Sequence, residues 1–307
     1  MKRHIRILTS IALAFVMCCA CTNEEKETST ATLEEAPKIE DIKIPSRDTE
    51  ISATVTLPAN QKNVPFVVLC HGHGGSRSEN EGFDTISNAL ADKGIASIRV
   101  DYPGCGESIE SFTQNNLTNM IADTESAINY MMDKYPVNNK IGIFGYSMGG
   151  RIALQMLAEK KYDFSSVCLL APAADTEDLK ELFGGKDNWE QLKQTAQESK
   201  DQYADFTTIY GQQQKLSVKW FDDLEGMDVD TLLTEVKKAY QGPSMVIYAV
   251  DDQAVSPSVS QQVATELNAQ VNMIPEDGHG YGFYSDKEYV KRIVVENTAD
   301  FFETSLN

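Results

Sequence analysis

Histidine and basic residues are scarce in this chain, and both shortages narrow what it can do. Four histidines occur in 307 residues, His4, His71, His73 and His279. His4 falls in an amino-terminal segment that reads as a removable signal, so chemistry that needs an imidazole has three candidates. Lys and Arg number 27 against 46 Asp and Glu, a net charge of −19. Such a chain repels polyphosphate, and no basic stripe with interleaved aromatics occurs, which argues against a nucleic-acid partner. Cysteine is sparse as well: beyond the first 21 residues only Cys70, Cys105 and Cys168 remain. An odd number does not make a disulfide framework, and Cys70 and Cys168 sit in apolar runs where cysteine serves as a small core residue. A single Cys70–Cys105 bridge is left open. The body of the chain has no internal repeat and no low-complexity stretch.

The amino terminus carries no apolar run long enough to span a bilayer. Residues 1–20 have a basic head (Lys2, Arg3, Arg6), an apolar stretch over 7–17 and small residues ahead of Cys21. That is the pattern of a secretory signal, with an uncleaved membrane anchor as its rival. The run Cys18-Cys19-Ala20-Cys21 resembles a bacterial lipoprotein box, whose cysteine is lipidated and becomes the new amino terminus. Cys21, preceded by the small Ala20, fits that role best, and Cys19 is the alternative. Residues 21–38 are polar and acidic with almost nothing to bury, and read as a flexible tether. The resemblance implies an extracytoplasmic protein held by lipid on a bacterial membrane, the outer one favoured, with the periplasmic and cell-surface faces both open. Losing residues 1–20 leaves 24 cations against 46 acids, or −22.

From residue 39 onward the hydrophobic pattern is that of one α/β domain, 39–307. Residues 39–45 and 50–57 alternate apolar and polar side chains and predict an antiparallel hairpin. Near-continuous apolar runs at 64–70, 95–100, 140–144, 166–170, 244–250 and 270–274 predict strands buried on both faces. Helical patterns lie between them at 80–93, 117–134, 148–158, 257–267 and 286–302. Strands alternating with helices specify a mostly parallel eight-stranded sheet with helices on both faces. Residues 173–242 break the rhythm: about 70 residues separate strands 6 and 7, too many for one crossover, so they form an insertion. Helical stretches at 175–182, 189–200 and 228–240 predict a helical cap over the strand ends. Its aromatics (Phe183, Trp189, Tyr203, Phe206, Tyr210, Trp220, Phe221) either enclose a substrate or pack the insertion onto the sheet, and packing is favoured for any single one.

The chemistry centres on Ile141 to Leu154, I-G-I-F-G-Y-S-M-G-G-R-I-A-L. A strand ends there and a helix begins, so Gly145-Tyr146-Ser147-Met148-Gly149 must be the turn between them. Glycines two residues either side of Ser147 suit a sharp turn that lifts the hydroxyl out of the sheet. The helix behind it points unpaired N–H groups at the same spot. A serine hydroxyl is a poor nucleophile until a base takes its proton. His279, in a glycine-flanked loop after the last strand, is free to approach it. The orienting acid should lie between them on a strand end, where Asp251 and Asp252 are the candidates; Asp252, three residues before Val255, resembles the D-x-x-V spacing of related enzymes and is favoured, with Asp251 then a loop-shaping or solvated group. Oxyanion donors are expected from the backbone of Met148 and, in His71-Gly72-His73-Gly74-Gly75, of His73, with Gly72 and Gly74 as alternatives. His71-x-His73 could also read as a metal pair, but the chain is short of further histidine ligands. No metal or organic cofactor is implied.

Taken together, these motifs resemble the α/β-hydrolase superfamily over nearly all of residues 39–302, in the chain order Ser147, Asp252, His279. V-D-Y-P-G-C-G-E-S at 100–108 is similar to the D-x-R-G-x-G-x-S segment of that superfamily. A-P-A-A at 171–174, D-D-x-x-V-S-P at 251–257 and Gly278-His279 resemble the feruloyl and cinnamoyl esterases of gut bacteria, with Tyr146 where those enzymes carry histidine. Serine aminopeptidases of the S33 type and acylglycerol lipases share much of the pattern. The resemblance implies a serine hydrolase that cleaves small acyl or hydroxycinnamoyl esters through an acyl-enzyme. A peptidase of the same fold is the alternative, and a non-catalytic binding module is the rival of another class.

Overall fold

The computed structural model describes residues 36–208 and 210–307. Residues 1–20, expected to be a signal, the lipidation candidates Cys19 and Cys21, and most of the expected tether lie outside the described residues. The elements run β1 (Lys38–Ser46), β2 (Thr49–Leu57), β3 (Val64–Cys70), α1 (Gly82–Asp92), β4 (Ala96–Val100), α2 (Leu117–Lys134), β5 (Val137–Tyr146), α3 (Met148–Glu159) and β6 (Phe164–Leu170). The insertion supplies α4 (Thr176–Leu182), α5 (Lys186–Glu198), β7 (Tyr203–Thr207), β8 (Gln213–Ser217), α6 (Val218–Glu225) and α7 (Val229–Ala239). The chain closes with β9 (Ser244–Ala249), α8 (Pro257–Leu267), β10 (Gln270–Ile274) and α9 (Glu288–Leu306).

Eight strands form one sheet in the order β1-β2-β4-β3-β5-β6-β9-β10. β1 pairs with β2 and β2 with β4 antiparallel, and every other pairing is parallel. All seven residues of β3 and the last six of β5 are buried, as expected for strands covered by helices on both sides. α1 packs against α9, and α2 and α7 pack against α3. Register aligns the carboxyl ends of the central strands: Cys70 lies opposite Gly145, and Tyr146 opposite Leu170. Loops leaving β3, β5, β6 and β9 therefore meet at one edge, where open α/β sheets place their sites.

The insertion is not purely helical. β7 and β8 form an antiparallel hairpin with Tyr203 opposite Ser217 and Thr207 opposite Gln213. Y-A-D-F-T and Q-Q-K-L-S carry too few apolar residues for a periodic signal, and the buried Ala204 and Leu216, paired across the hairpin, supply its apolar anchor. Most of the cap aromatics are interior. Trp189 and Trp220 lie 5.0 Å apart, Phe183 and Trp220 4.9 Å, and Phe221 meets Trp220 edge-on at 4.9 Å. Tyr210, at the hairpin tip, is 84% exposed. Arg151 of α3 is fully buried and donates to the carbonyls of Ala174 and Met227, which fastens the start of the insertion and its α6–α7 turn to the helix behind Ser147. Cys70, Cys105 and Cys168 are free and buried, so the Cys70–Cys105 bridge is not formed.

Candidate active site

Ser147 sits on the bend between β5 and α3 with φ 54° and ψ −116°. That region is strained for a residue with a Cβ and costs about 1–3 kcal/mol. The surroundings hold it there: Ser147 N–H donates to Leu170 O at 2.9 Å, and Ser147 O accepts from Ala173 N–H at 3.0 Å. The flanking glycines are required by close backbone approach. A Cβ on Gly149 would lie 1.9 Å from Cys70 O, and one on Gly145 would lie 2.3 Å from Gly149 O.

His279 approaches from the loop after β10, with Nε2 2.9 Å from Ser147 Oγ and Nδ1 2.7 Å from Asp252 Oδ2. A carboxylate beside Nδ1 assigns the proton to that nitrogen, which leaves Nε2 free to accept from the serine hydroxyl. Asp252 is buried, and both its oxygens are engaged. Oδ1 accepts from the amides of Ala254 (2.9 Å) and Val255 (3.0 Å), and Oδ2 accepts from the Tyr281 hydroxyl (2.8 Å) besides His279. Tyr281 OH in turn accepts from Ala249 N–H at 2.9 Å. Asp251 points elsewhere: its Oδ1 accepts from the amides of Asp277 (3.0 Å) and Gly278 (2.9 Å), shaping the loop that presents His279. Tyr146 stacks on the His279 ring at 5.2 Å, and its hydroxyl donates to His279 O. Tyr281 carries no pattern that marks it in the sequence, and Tyr146 is marked only as the residue before the serine; their roles exist only once the histidine loop has folded against the elbow.

The glycine-rich loop after β3 lies beside the nucleophile, since a Cβ on Gly72 would be 3.4 Å from Ser147 Cβ. Its amides separate by what they already bind. Gly72 N–H donates to Glu79 Oε1 at 2.6 Å, and Gly75 N–H donates to Gly72 O at 3.1 Å. That leaves the His73 and Gly74 amides as the loop's candidate donors, beside Met148, the first residue of α3, whose N–H is one of a helix's unpaired leading donors. Neither imidazole in this loop fits a metal pair. His71 Nδ1 faces Gly72 O at 2.7 Å and Nε2 accepts from Tyr102 N–H at 3.1 Å. His73 Nε2 meets Gln214 Oε1 at 2.8 Å, and its ring packs against Phe112, Phe183 and Trp220. Burial lowers both to about 4, so both are neutral at physiological pH. Among the described residues no cluster of three His, Cys, Asp or Glu could hold a metal ion.

Strand order and the elbow serine, met by an imidazole delivered from near the far end of the chain, place this protein among the α/β-hydrolases. Within them it belongs to the family described as serine aminopeptidase, S33, whose pattern is matched by residues 61–281. A curated Escherichia coli relative, an uncharacterized 31.7 kDa protein of the traX-finO intergenic region, is 33% identical over 101 residues. That match spans 33% of this chain and about a third, 35%, of the relative. Among solved structures, Est1E from Butyrivibrio proteoclasticus with ferulic acid bound superimposes with a TM-score of 0.69 at 19% identity, covering 86% of this chain and 98% of that one. The esterase domain of a Rhodothermus marinus protein gives 0.65 at 16% identity, covering 88% and 100%. The acylaminoacyl peptidase of Pyrococcus horikoshii gives 0.63 at 13%, covering 89% and 42%. At these identities the likeness is one of fold. The α/β-hydrolase fold expected from the motifs is thus the fold of the chain, with the hairpin in the cap as the departure.

Proposed function

We propose that the protein is a serine hydrolase of small carboxylic esters. The observation that carries this is the unbroken relay from Asp252 through His279 to Ser147, with both imidazole nitrogens within 2.9 Å of their partners. Ser147 Oγ attacks the ester carbonyl while His279 Nε2 takes its proton. Asp252 stays ionised and stabilises the imidazolium that forms. The Met148 and His73 amides hold the oxyanion, each such donor contributing about 10² to 10³ in rate. Collapse expels the alcohol, protonated by His279, and leaves an acyl-serine that water cleaves by the same route. No metal or organic cofactor enters these steps. Fold likeness to Est1E, solved with ferulic acid, and to an esterase domain supports an ester of acyl or hydroxycinnamoyl type. The family description favours a second reading, an aminopeptidase.

The amino-terminal motif supports an extracytoplasmic location, lipid-anchored through Cys21, on the periplasmic or surface face of the outer membrane. Metabolic labelling with a tagged fatty acid tests this: label lost in Cys21→Ser and kept in Cys19→Ser is expected, and the reverse moves the anchor. For the chemistry, burst release of p-nitrophenol from a short-chain ester is expected from the wild type and not from Ser147→Ala. Equal behaviour of the two would leave a binding module. A panel of aryl, lipid and aminoacyl esters then separates esterase from peptidase.

A further inference from the structure

Behind the oxyanion loop sits a carboxylate that the steps above do not use. Glu79 is 1% exposed. Its Oε1 accepts from Gly72 N–H at 2.6 Å, and its Oε2 accepts from the hydroxyl of Tyr284, in the loop that presents His279. The backbone around it is strained: Glu79, Asn80 and Glu81 all have left-handed φ, at 45°, 51° and 69°. Three consecutive residues with side chains in that region are a local cost that persists only where surroundings over-determine it. Here the surroundings are the histidine loop. Asn80 Nδ2 donates to Phe283 O at 2.5 Å, and a Cβ on Gly82 would fall 2.3 Å from the Phe283 ring.

We propose that Glu79 is a positioning residue whose carboxylate ties the oxyanion loop to the histidine loop and thereby aims the His73 amide at the reacting oxygen. This rests on the serine-hydrolase reading of the site. The geometry follows from the peptide joining Gly72 to His73. Its carbonyl is pinned by His71 Nδ1 at 2.7 Å and by Gly75 N–H at 3.1 Å. In a trans peptide the N–H points opposite to the carbonyl, so pinning Gly72 O sets the direction of His73 N–H. The remaining freedom is rotation about Gly72 itself, a residue with no side chain to restrain it. Glu79 removes that freedom by holding Gly72 N–H. Because the other carboxylate oxygen holds Tyr284, a displacement of the histidine loop is transmitted to the oxyanion donor. One buried side chain so keeps base and donor in register, which matters because misplacement by about 1 Å can cost about 10²-fold in rate.

The test compares wild type, Glu79→Gln, Tyr284→Phe and Ser147→Ala on p-nitrophenyl acetate, on the alkaline side of about 7, where Glu79 is a carboxylate. An alkylboronic acid, which forms a tetrahedral adduct on the serine, serves as the oxyanion probe. Glutamine keeps the shape of glutamate but has one acceptor oxygen, so either Gly72 or Tyr284 loses its partner. Expected for Glu79→Gln is a roughly 30- to 100-fold fall in kcat, KM within about threefold, and boronate affinity weakened in step with kcat. Tyr284→Phe, altered at a residue that is 55% exposed, should lose about fivefold in both kcat and boronate affinity with its melting temperature unchanged. If Glu79→Gln fails to fold, Tyr284→Phe carries the test alone. Unchanged boronate affinity in folded Glu79→Gln, or in Tyr284→Phe if that stands alone, overturns the proposal, as does a loss confined to KM. A wild type without a Ser147-dependent burst would instead overturn the hydrolase reading, whatever the other variants do.

Discussion

Replacing Asp252 by asparagine, beside the same change at Asp251, separates the orienting acid from the loop-shaping one. In the wild type Asp252 Oδ2 accepts two hydrogen bonds, from His279 Nδ1 at 2.7 Å and from Tyr281 OH at 2.8 Å. In Asp252→Asn the new side chain can keep its oxygen on the Ala254 and Val255 amides only by turning its NH2 toward those two donors, so both lose their acceptor. A hydrogen bond to a charged group contributes about 1.5–3 kcal/mol, which puts the pair at roughly 3–6 kcal/mol. That range includes the ~5.5 kcal/mol, about 10⁴ in kcat, associated with forcing a triad histidine into the wrong tautomer. Asp251→Asn keeps an oxygen for the Asp277 and Gly278 amides and should lose less than about tenfold, the effect of weakening two bonds that shape the loop without removing them. Tyr281→Phe removes one of the two Oδ2 donors and frees Ala249 N–H, and should fall between, at about tenfold. The assay is steady-state hydrolysis of p-nitrophenyl acetate, with thermal melts to show that each variant is folded. Asp251→Asn falling as far as Asp252→Asn, or Asp252→Asn staying within tenfold of wild type, would refute the assignment.

Three other outcomes follow from the geometry. Gly149→Ala should abolish activity and lower stability by about 3 kcal/mol or more, read by urea unfolding, because its methyl would meet Cys70 O at 1.9 Å. Trp220→Ala should cost about 3–5 kcal/mol and loosen His73, whose ring rests on it at 5.7 Å, so unfolding and kcat should both respond. Burial lifts the Glu79 carboxyl from 4.5 to about 7, against the Tyr284 and Gly72 hydrogen bonds that favour its ionised form. The native state then holds this proton more tightly than the unfolded chain. Glu79's contribution to stability is therefore full below pH 4.5 and falls as pH rises through 7, by up to ~3 kcal/mol. His71 and His73, lowered by burial to about 4, act in the opposite sense, stabilising above pH 6.5 and losing that as pH falls toward 4. Their effect is common to wild type and Glu79→Gln. The stability difference between those two should therefore shift in favour of the glutamine variant from pH 5 to pH 8, and a pH-independent difference would contradict this.

Much of the frame could be read from the chain because its strands are short apolar runs and its helices have regular spacing. Six strands of the main sheet are marked by apolar runs and β1 and β2 by alternation, with five helices marked by their spacing. The β7–β8 hairpin escaped because its apolar content is little more than Ala204 and Leu216, whose partnership lies across the hairpin and has no sequential period. Ser147 was legible through the glycines that backbone contact demands. His279 stood out because so few histidines compete with it. Asp251 and Asp252 are adjacent and chemically identical, and what divides them is the direction each side chain takes on leaving β9.

Local order therefore settled which segments are strands, where the serine turns and which imidazole is available, since each depends on neighbours within a few residues. Tertiary packing alone settled the rest. The Asp252 carboxylate serves His279 because β9 and β10 run parallel, so that the loops leaving both strand ends lie side by side. Glu79 reaches two loops because a strained turn aims it inward, and the cap aromatics pack on one another because α5 and α6 bring them together. Those relations join residues 27 to more than 200 positions apart, and at such distances only the folded chain determines which groups touch.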